Sequence, residues 1–161
     1  MEDPSVRPYA FAALVWCLGT TAVSAQKPRD LSKLDPCKTL TTADLEAATK
    51  GKVTMSVGGG LGATACTWVI DSPSAAVAGE YHLLFAKADI TQAAWDVSTP
   101  AEKGTPVPGI WDEAYMVPPG SLRGNRYFLT ALKKGDMAIE VQGASKDVVT
   151  SLGKTAVSRL K

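Results

Sequence analysis

Three cysteines constrain this chain more than any other feature. Cys17 lies inside an apolar run from Ala10 to Val23, whereas Cys37 and Cys66 lie in the remainder of the chain. The run of about 14 residues is shorter than a membrane-spanning helix and is typical of a signal-peptide core. It ends in Val23-Ser24-Ala25, the small-x-small pattern that signal peptidase recognises. The sequence therefore predicts export to a compartment in which disulfides persist.

We expect residues 1–25 to be a signal peptide that is cleaved between Ala25 and Gln26. A retained membrane anchor is the alternative, because two acidic residues offset the one basic residue of the N-terminal flank. Lipidation of Cys17 is disfavoured, since the bulky Trp16 stands directly before it where a lipobox has a small residue. We therefore expect a periplasmic or secreted protein that meets the membrane only transiently, through its signal peptide.

Cys37 and Cys66 are the two thiols of the mature chain, and they can pair with each other. The closed loop of about 30 residues is worth about 3–4 kcal/mol in the chain-entropy model. A redox-active pair is the alternative, but catalytic dithiols usually form a Cys-x-x-Cys motif, which these two do not. The spacing favours a structural disulfide.

The charge balance argues against nucleic acid as a partner. Cleavage leaves 16 basic and 14 acidic residues, a formal charge of +2 without the concentrated basic patch of nucleic-acid-binding domains. No cofactor or metal is expected. The mature length is that of one domain, and we expect a flexible leader over 26–34 and a single α+β domain over 35–161.

Local patterns place the helices and strands. Thr41 and Asp44 form a capping box at the start of a first helix that ends near Gly51. A second helix is predicted from Asp89 onward and a third after Ser145. The predicted inward residues of these two helices are Ile90, Ala93, Ala94 and Val97, and Val148, Val149, Leu152, Ala156 and Leu160.

Six segments read as strands because they alternate in hydropathy or are apolar throughout. They are 52–57, 65–70, 80–87, 109–115, 126–133 and 136–142, with a tight turn at Gly135-Asp136. The order α-β-β-β-α-β-β-β-α predicts a two-layer α+β sandwich. In it, an antiparallel sheet of five to six strands carries its helices on one face. The two halves resemble a loose duplication of one helix and three strands.

Several motifs are weak candidates for chemistry. Gly58–Ala63 fits a dinucleotide fingerprint in its letters, but a strand-like segment follows where the motif needs a helix N-terminus. His82, the single histidine, lies in a strand without a nucleophile motif and is expected to be paired or packed. Asp112 and Glu113 are neighbours in an extended segment, where side chains point to opposite faces. We therefore expect Asp112 to cap a turn and Glu113 to be solvated or ion-paired.

Aromatic and arginine side chains provide the candidate binding surface. Trp68 and Trp95 fall in patterned elements and are expected in the core. Trp111 lies in a loop flanked by proline and glycine, where a large aromatic is harder to bury. The predicted surface joins it to neighbours of the types that dominate binding hot spots, and comprises Trp111, Tyr115, Arg123 and Arg126. The alternative is a tryptophan that closes the end of the sheet.

Three segments together resemble a known group of proteins. They are Asp35-Pro36-Cys37-Lys38-Thr39-Leu40-Thr41, Cys66-Thr67-Trp68 and Pro108-Gly109-Ile110-Trp111-Asp112-Glu113-Ala114-Tyr115. The chain resembles a widespread group of small bacterial exported proteins and lipoproteins with a D-P-C-x-L-L-T start and a G-x-G-D-E-A centre. Trp111 stands where that group has glycine, and the lipoprotein cysteine is missing. The resemblance implies export, a Cys37–Cys66 bond and an α+β fold, and it brings no catalytic residues.

The sequence best fits an exported binding or interaction domain that catalyses nothing. Its partner is a small ligand or another envelope protein. An enzyme with a carboxylate site, acting on cell-wall polymer, and a structural or inhibitory module are the alternatives. Carboxylates with raised pKa in a cleft favour the enzyme, a cavity favours ligand binding, and an exposed apolar patch alone favours the third.

Overall fold

The computed structural model describes residues 27–59, 64–120 and 124–161. The predicted signal peptide and its cleavage site at Ala25 and Gln26 lie outside these residues, as do Arg123 and residues 60–63 of the glycine-rich segment.

The described chain forms five α-helices, seven strands and one 3-10 turn at Leu31–Lys33. In chain order they are α1 (Pro36–Thr39), α2 (Thr42–Thr49), β1 (Lys52–Gly58), β2 (Ala65–Asp71), β3 (Gly79–Lys87), α3 (Ala88–Val97), α4 (Pro100–Lys103), β4 (Thr105–Pro106), β5 (Glu113–Val117), β6 (Tyr127–Lys133), β7 (Met137–Gly143) and α5 (Lys146–Arg159). The mixed α and β composition is confirmed, whereas the predicted order α-β-β-β-α-β-β-β-α lacked α1, α4 and β4.

One open antiparallel sheet has the order β1-β2-β3-β7-β6-β5-β4. It holds seven strands, so the prediction of five to six was too low. The additional strand, β4, is two residues long and includes Pro106, which is tolerated because β4 lies at the sheet edge. Two meanders, β1-β2-β3 and β5-β6-β7, meet at the β3–β7 pair.

Alternation along the strands separates two faces of the sheet. The covered face carries Trp68, Leu83, Leu129 and Ile139, which belong to the main core. The side chains of α5 and of the α1–α2 region, such as Leu152 and Leu45, join the same core. The opposite face, here called the open face, carries Thr67, His82, Thr130 and Glu140.

The predicted capping box is present at the start of α2. Thr41 Oγ1 accepts from the Asp44 backbone N–H at 3.4 Å, and Asp44 Oδ2 accepts from the Thr41 N–H at 2.7 Å. This capping box satisfies two donors that the helix itself leaves free. Leu40 and Leu45, before and after the cap, are both fully buried.

Two predictions about α3 were wrong: the face of the sheet on which it lies and the residues that it buries. It lies on the open face, because Trp95 packs with Leu132 and Ala138, so the helices do not all occupy one face. Its predicted inward residues are instead exposed: Ile90, Ala93, Ala94 and Val97. It also begins at Ala88 after Lys87, without a side-chain cap. Trp95 and Trp68 themselves are buried, as predicted.

The disulfide between Cys37 and Cys66 is present, with a Cα–Cα distance of 5.3 Å. It joins α1 to β2 on the covered face. Residues before Asp35, predicted to be a flexible leader, also contact the domain. Arg29 donates to the Leu160 carbonyl at 2.8 Å and to Asp136 Oδ2 at 2.9 Å, and Leu31 and Leu34 pack against the main core.

Candidate functional site

The open face is the part of the sheet that offers polar side chains for binding. Along β3, Tyr81, Leu83 and Phe85 are buried toward the helices, so Glu80 and His82 point to the open face. Across the sheet, Thr67 of β2 and Gln142 of β7 stand directly opposite His82. Among the described helices, α3 packs on this face at Trp95, Leu132 and Ala138, and His82 is not part of that contact.

His82 is held from two sides. Its Nδ1 lies 2.9 Å from Thr67 Oγ1, and its Nε2 lies 2.7 Å from Arg126 Nη1. A guanidinium only donates hydrogen bonds, so Nε2 must carry a free lone pair. The ring proton therefore sits on Nδ1 and is donated to Thr67. The prediction of a paired strand histidine is confirmed.

Glu80 completes this group, which we call the His82 cluster: Thr67, Glu80, His82 and Arg126. Arg126 Nη2 forms an ion pair with Glu80 Oε2, which also lies 3.5 Å from His82 Nε2. Burial lowers the pKa of His82, and the Arg126 charge lowers it further, while Glu80 acts in the opposite direction. His82 is therefore neutral at pH 7.

A second polar group adjoins the His82 cluster on β6 and β7. Gln142 Nε2 donates to Glu140 Oε1 at 2.5 Å, and Thr130 Oγ1 donates to Glu140 Oε2 at 3.5 Å. Glu140 also raises the pKa of His82 through its charge, as a smaller influence than burial. The centre of the open face is thus polar.

A cavity of about 590 Å³ lies at one end of the open face, between the β2–β3 and β5–β6 connections. Small residues, including Ala75, Ala76 and Ala78, line one side and leave the space open. Among the described residues that line it, Glu80 and Arg126 carry charge, and Asn125 and Tyr127 lie beside them. The volume is in the range of small-molecule sites.

The predicted binding surface is not one patch. Trp111 packs against the main core, whereas Tyr115 belongs to the α3 cluster and meets Trp95 edge-on with ring centroids 4.9 Å apart. Arg126 lies in the His82 cluster at the cavity, and Arg123 lies outside the described residues. Of the three that the structure describes, Arg126 is the one that lines the cavity of about 590 Å³, where it pairs with Glu80.

Trp111 adopts a backbone φ of 47°, in the left-handed region that glycine enters without steric cost. In this chain, packing of the Trp111 side chain against the main core offsets the backbone cost.

The neighbouring carboxylates are engaged in structural contacts. Asp112 Oδ2 accepts from the Lys134 backbone N–H at 2.7 Å, and Glu113 Oε1 lies 2.6 Å from Lys134 Nζ. The predictions of a turn cap and an ion pair are confirmed. In the part of the chain that the structure describes, no group of three or more His, Cys, Asp or Glu side chains is arranged to hold a metal ion.

The glycine-rich segment joins the antiparallel strands β1 and β2, and four of the six residues of the Gly58–Ala63 motif lie outside the described residues. A dinucleotide fingerprint connects a strand to a helix, so this context does not fit it. No helix within residues 27–59, 64–120 and 124–161 is long and apolar enough to span a bilayer.

Sequence reasoning named His82 and Arg126 separately and missed Glu80 and Thr67. Period-two alternation places Glu80 and His82 on one face, and this was the available signal. Arg126 is 44 residues from His82, and their meeting depends on β7 lying between β3 and β6. Comparisons of the chain with family models, with curated proteins and with solved structures give no match.

Proposed function

We propose that this protein is an exported binding domain that takes a small ligand in the Arg126 cavity at the end of its open face. The observation that carries the proposal is the ion pair of Arg126 with Glu80, both of which line a cavity of about 590 Å³. Concave sites with a few oriented polar groups are the usual form of small-ligand sites.

Export is supported by the predicted signal peptide and by the Cys37–Cys66 disulfide, a bond that persists in oxidising compartments. The resemblance to small bacterial exported proteins points the same way. Asp112 and Glu113 are both held in contacts with Lys134, which favours a binding function over catalysis by these carboxylates.

A protein partner is the second candidate. The outward side of α3 favours it, because Ile90 and Val97 expose 61% and 85% of their surface. Apolar side chains that share one exposed helix face are typical of protein contacts.

Native mass spectrometry of the full chain, expressed with export and purified from the exported fraction, tests the first proposal. We expect a mass that reports cleavage after Ala25, a deficit of two hydrogens for the disulfide, and an additional dissociable mass. The variant Arg126→Ala should lose that additional mass. Lys38→Ala, which removes an exposed cation that is not among the described residues lining the cavity, should retain that mass. A protein that carries no ligand, or a ligand that survives Arg126→Ala, contradicts the proposal.

A further inference from the structure

The guanidinium of Arg126 is engaged on both terminal nitrogens. Nη1 donates to His82 Nε2 at 2.7 Å and Nη2 pairs with Glu80, while the side chain remains 36% exposed at the cavity. A guanidinium binds carboxylate or phosphate best through two parallel N–H donors. In this arrangement those donors are directed at groups of the protein itself.

The contact between Arg126 and His82 exists only while His82 is neutral. A proton on Nε2 replaces the lone pair that accepts from Arg126 and brings two cations together. The Nδ1 proton is already donated to Thr67 at 2.9 Å, so Nε2 is the atom that takes the new proton. Glu80 Oε2, 3.5 Å away, is the acceptor in reach of the new Nε2–H.

Protonation also changes the charge of the site. The charged groups that face His82 are Glu80 on β3, Glu140 on β7 and Arg126 before β6, whereas Thr67 on β2 and Gln142 on β7 are uncharged. With His82 neutral, the charges of Arg126 and Glu80 cancel. With His82 protonated, these three residues carry one net positive charge, and Glu80 is shared between two cations.

We propose that protonation of His82 frees Arg126 Nη1, weakens the hold of Glu80 on the guanidinium and turns the cavity into a binding site for an oxyanion, a carboxylate or phosphate group of the ligand. The inference rests on the proposed function, since it names the ligand chemistry and the regulation of the same cavity. The protein then binds its ligand more tightly in an acidic compartment than in a neutral one.

Proton binding at His82 and oxyanion binding at Arg126 are thermodynamically linked, so each changes the affinity for the other. A two-state coupling of this kind changes affinity by about tenfold between about pH 7.5 and about pH 5. The same coupling requires that a bound oxyanion raise the pKa of His82, because each ligand strengthens the binding of the other.

The test uses two probes that stay fully ionised at both pH values, trifluoroacetate and methanesulfonate, so that the titration of the probe contributes nothing. Dissociation constants are measured by NMR on the full exported chain, from the shift of the Arg126 Nε–H resonance. We expect tighter binding at about pH 5 by about tenfold. Preference for trifluoroacetate indicates a planar carboxylate ligand, and preference for methanesulfonate a tetrahedral phosphate-like group.

Two variants separate the switch from general charge effects. His82→Gln keeps an acceptor for Arg126 at every pH, so it should abolish the pH dependence and leave weak binding. Lys38→Gln, which removes an exposed cation that pairs with Asp35, should keep the pH dependence of binding. Equal affinity at both pH values in the wild type, or a pH dependence that persists in His82→Gln, overturns the inference.

The outcomes also distinguish this inference from the proposed function. Binding at Arg126 that does not depend on pH leaves the cavity as a ligand site and removes only the acid switch. If neither probe shifts Arg126 at either pH and the native protein carries no ligand, the proposed function fails as well.

Discussion

The helices α5 and α3 both carry an apolar stripe with helical periodicity, and they use it in opposite ways. In α5 the stripe of Val148, Val149, Leu152, Ala156 and Leu160 is buried on the covered face. In α3 the stripe that includes Ile90 and Val97 points to solvent. An apolar stripe therefore identifies one side of a helix, but it does not establish which side meets the core.

The side chain that orients α3 is Trp95. Its ring lies on the side opposite the apolar stripe, packs with Leu132 and Ala138 and meets Tyr115 edge-on. Burying an indole removes about 200 Å² from water and contributes about 5 kcal/mol, and an aromatic edge contact adds about 1 kcal/mol. Burying a single isoleucine or valine contributes only about 2 kcal/mol. One large ring thus outweighs either aliphatic residue of the stripe.

Substitution of Trp95 is the strongest test of whether this ring, and not the apolar stripe, holds α3 to the sheet. We expect Trp95→Ala to lower the free energy of unfolding by about 4 kcal/mol, through lost burial and a cavity over the open face. Val97→Ala, on the exposed side of the same helix, should change it by less than about 0.5 kcal/mol. Urea denaturation of both variants measures the difference. A larger loss for Val97→Ala means that the stripe, not Trp95, holds α3 to the sheet.

On the covered face, the Cys37–Cys66 disulfide links α1 to β2, whereas α3 is held to the sheet by packing. The double substitution Cys37→Ser and Cys66→Ser should lower the free energy of unfolding by about 3 kcal/mol, because the unfolded chain regains the freedom of the loop. Hydrogen exchange should show the greatest loss of protection in α1 and β2, with α3 changed only through global unfolding. Greater loss of protection in α3 than in α1 contradicts this assignment.

The end of α5 is joined to α2 by an ion pair. Arg159 donates to both oxygens of Asp44, at 2.6 and 2.7 Å, and this bonding lowers the pKa of Asp44 to about 2. The stabilisation is therefore complete above the ordinary carboxyl pKa and is lost as the pH falls through about 2. Because water screens the pair, we expect Asp44→Asn to cost about 1 kcal/mol near neutral pH. The difference from wild type should shrink as the pH falls through about 2 and vanish below it, and urea denaturation across that range measures it.

The smallest effect concerns His82 on the open face. Its pKa is lowered, chiefly by burial and then by Arg126, so the unfolded chain binds the proton more readily than the folded protein. Stability should therefore fall as the pH drops below the ordinary histidine value of about 6.5, and His82→Gln should remove that dependence. An NMR titration of the ring protons checks it. A His82 pKa above 6.5 in the ligand-free protein is incompatible with the cluster described above.

Much of the fold could be predicted from short-range patterns. The Thr41–Asp44 capping box and the positive φ at Gly135 were both evident from neighbouring residues, because they depend on contacts within one turn of chain. The α-helices and the strand that were not predicted, α1, α4 and β4, are four, four and two residues long. Segments of that length are too short to show a periodicity.

Less of the candidate site was predictable. Arg126 was named for its residue type and nearness to Trp111 in the chain, yet the two lie in different clusters of the fold. The contact of Arg126 with His82 requires β3 and β6 to flank β7, and no local pattern specifies that order. Glu80, which completes the charge balance, had no separate signal beyond its place in an alternating strand.

The sequence by itself determined the alternation of the strands, the start of α2 and the pairing of Cys37 with Cys66, because each depends on neighbours in the chain or on a count of two thiols beyond the N-terminal apolar run. Only the tertiary structure decided which side of α3 packs and which side chains surround His82. Those outcomes depend on the order of strands in the sheet and on the space left beside Leu132 and Ala138. They are set by competition between distant side chains for the same surface, which residue spacing does not encode.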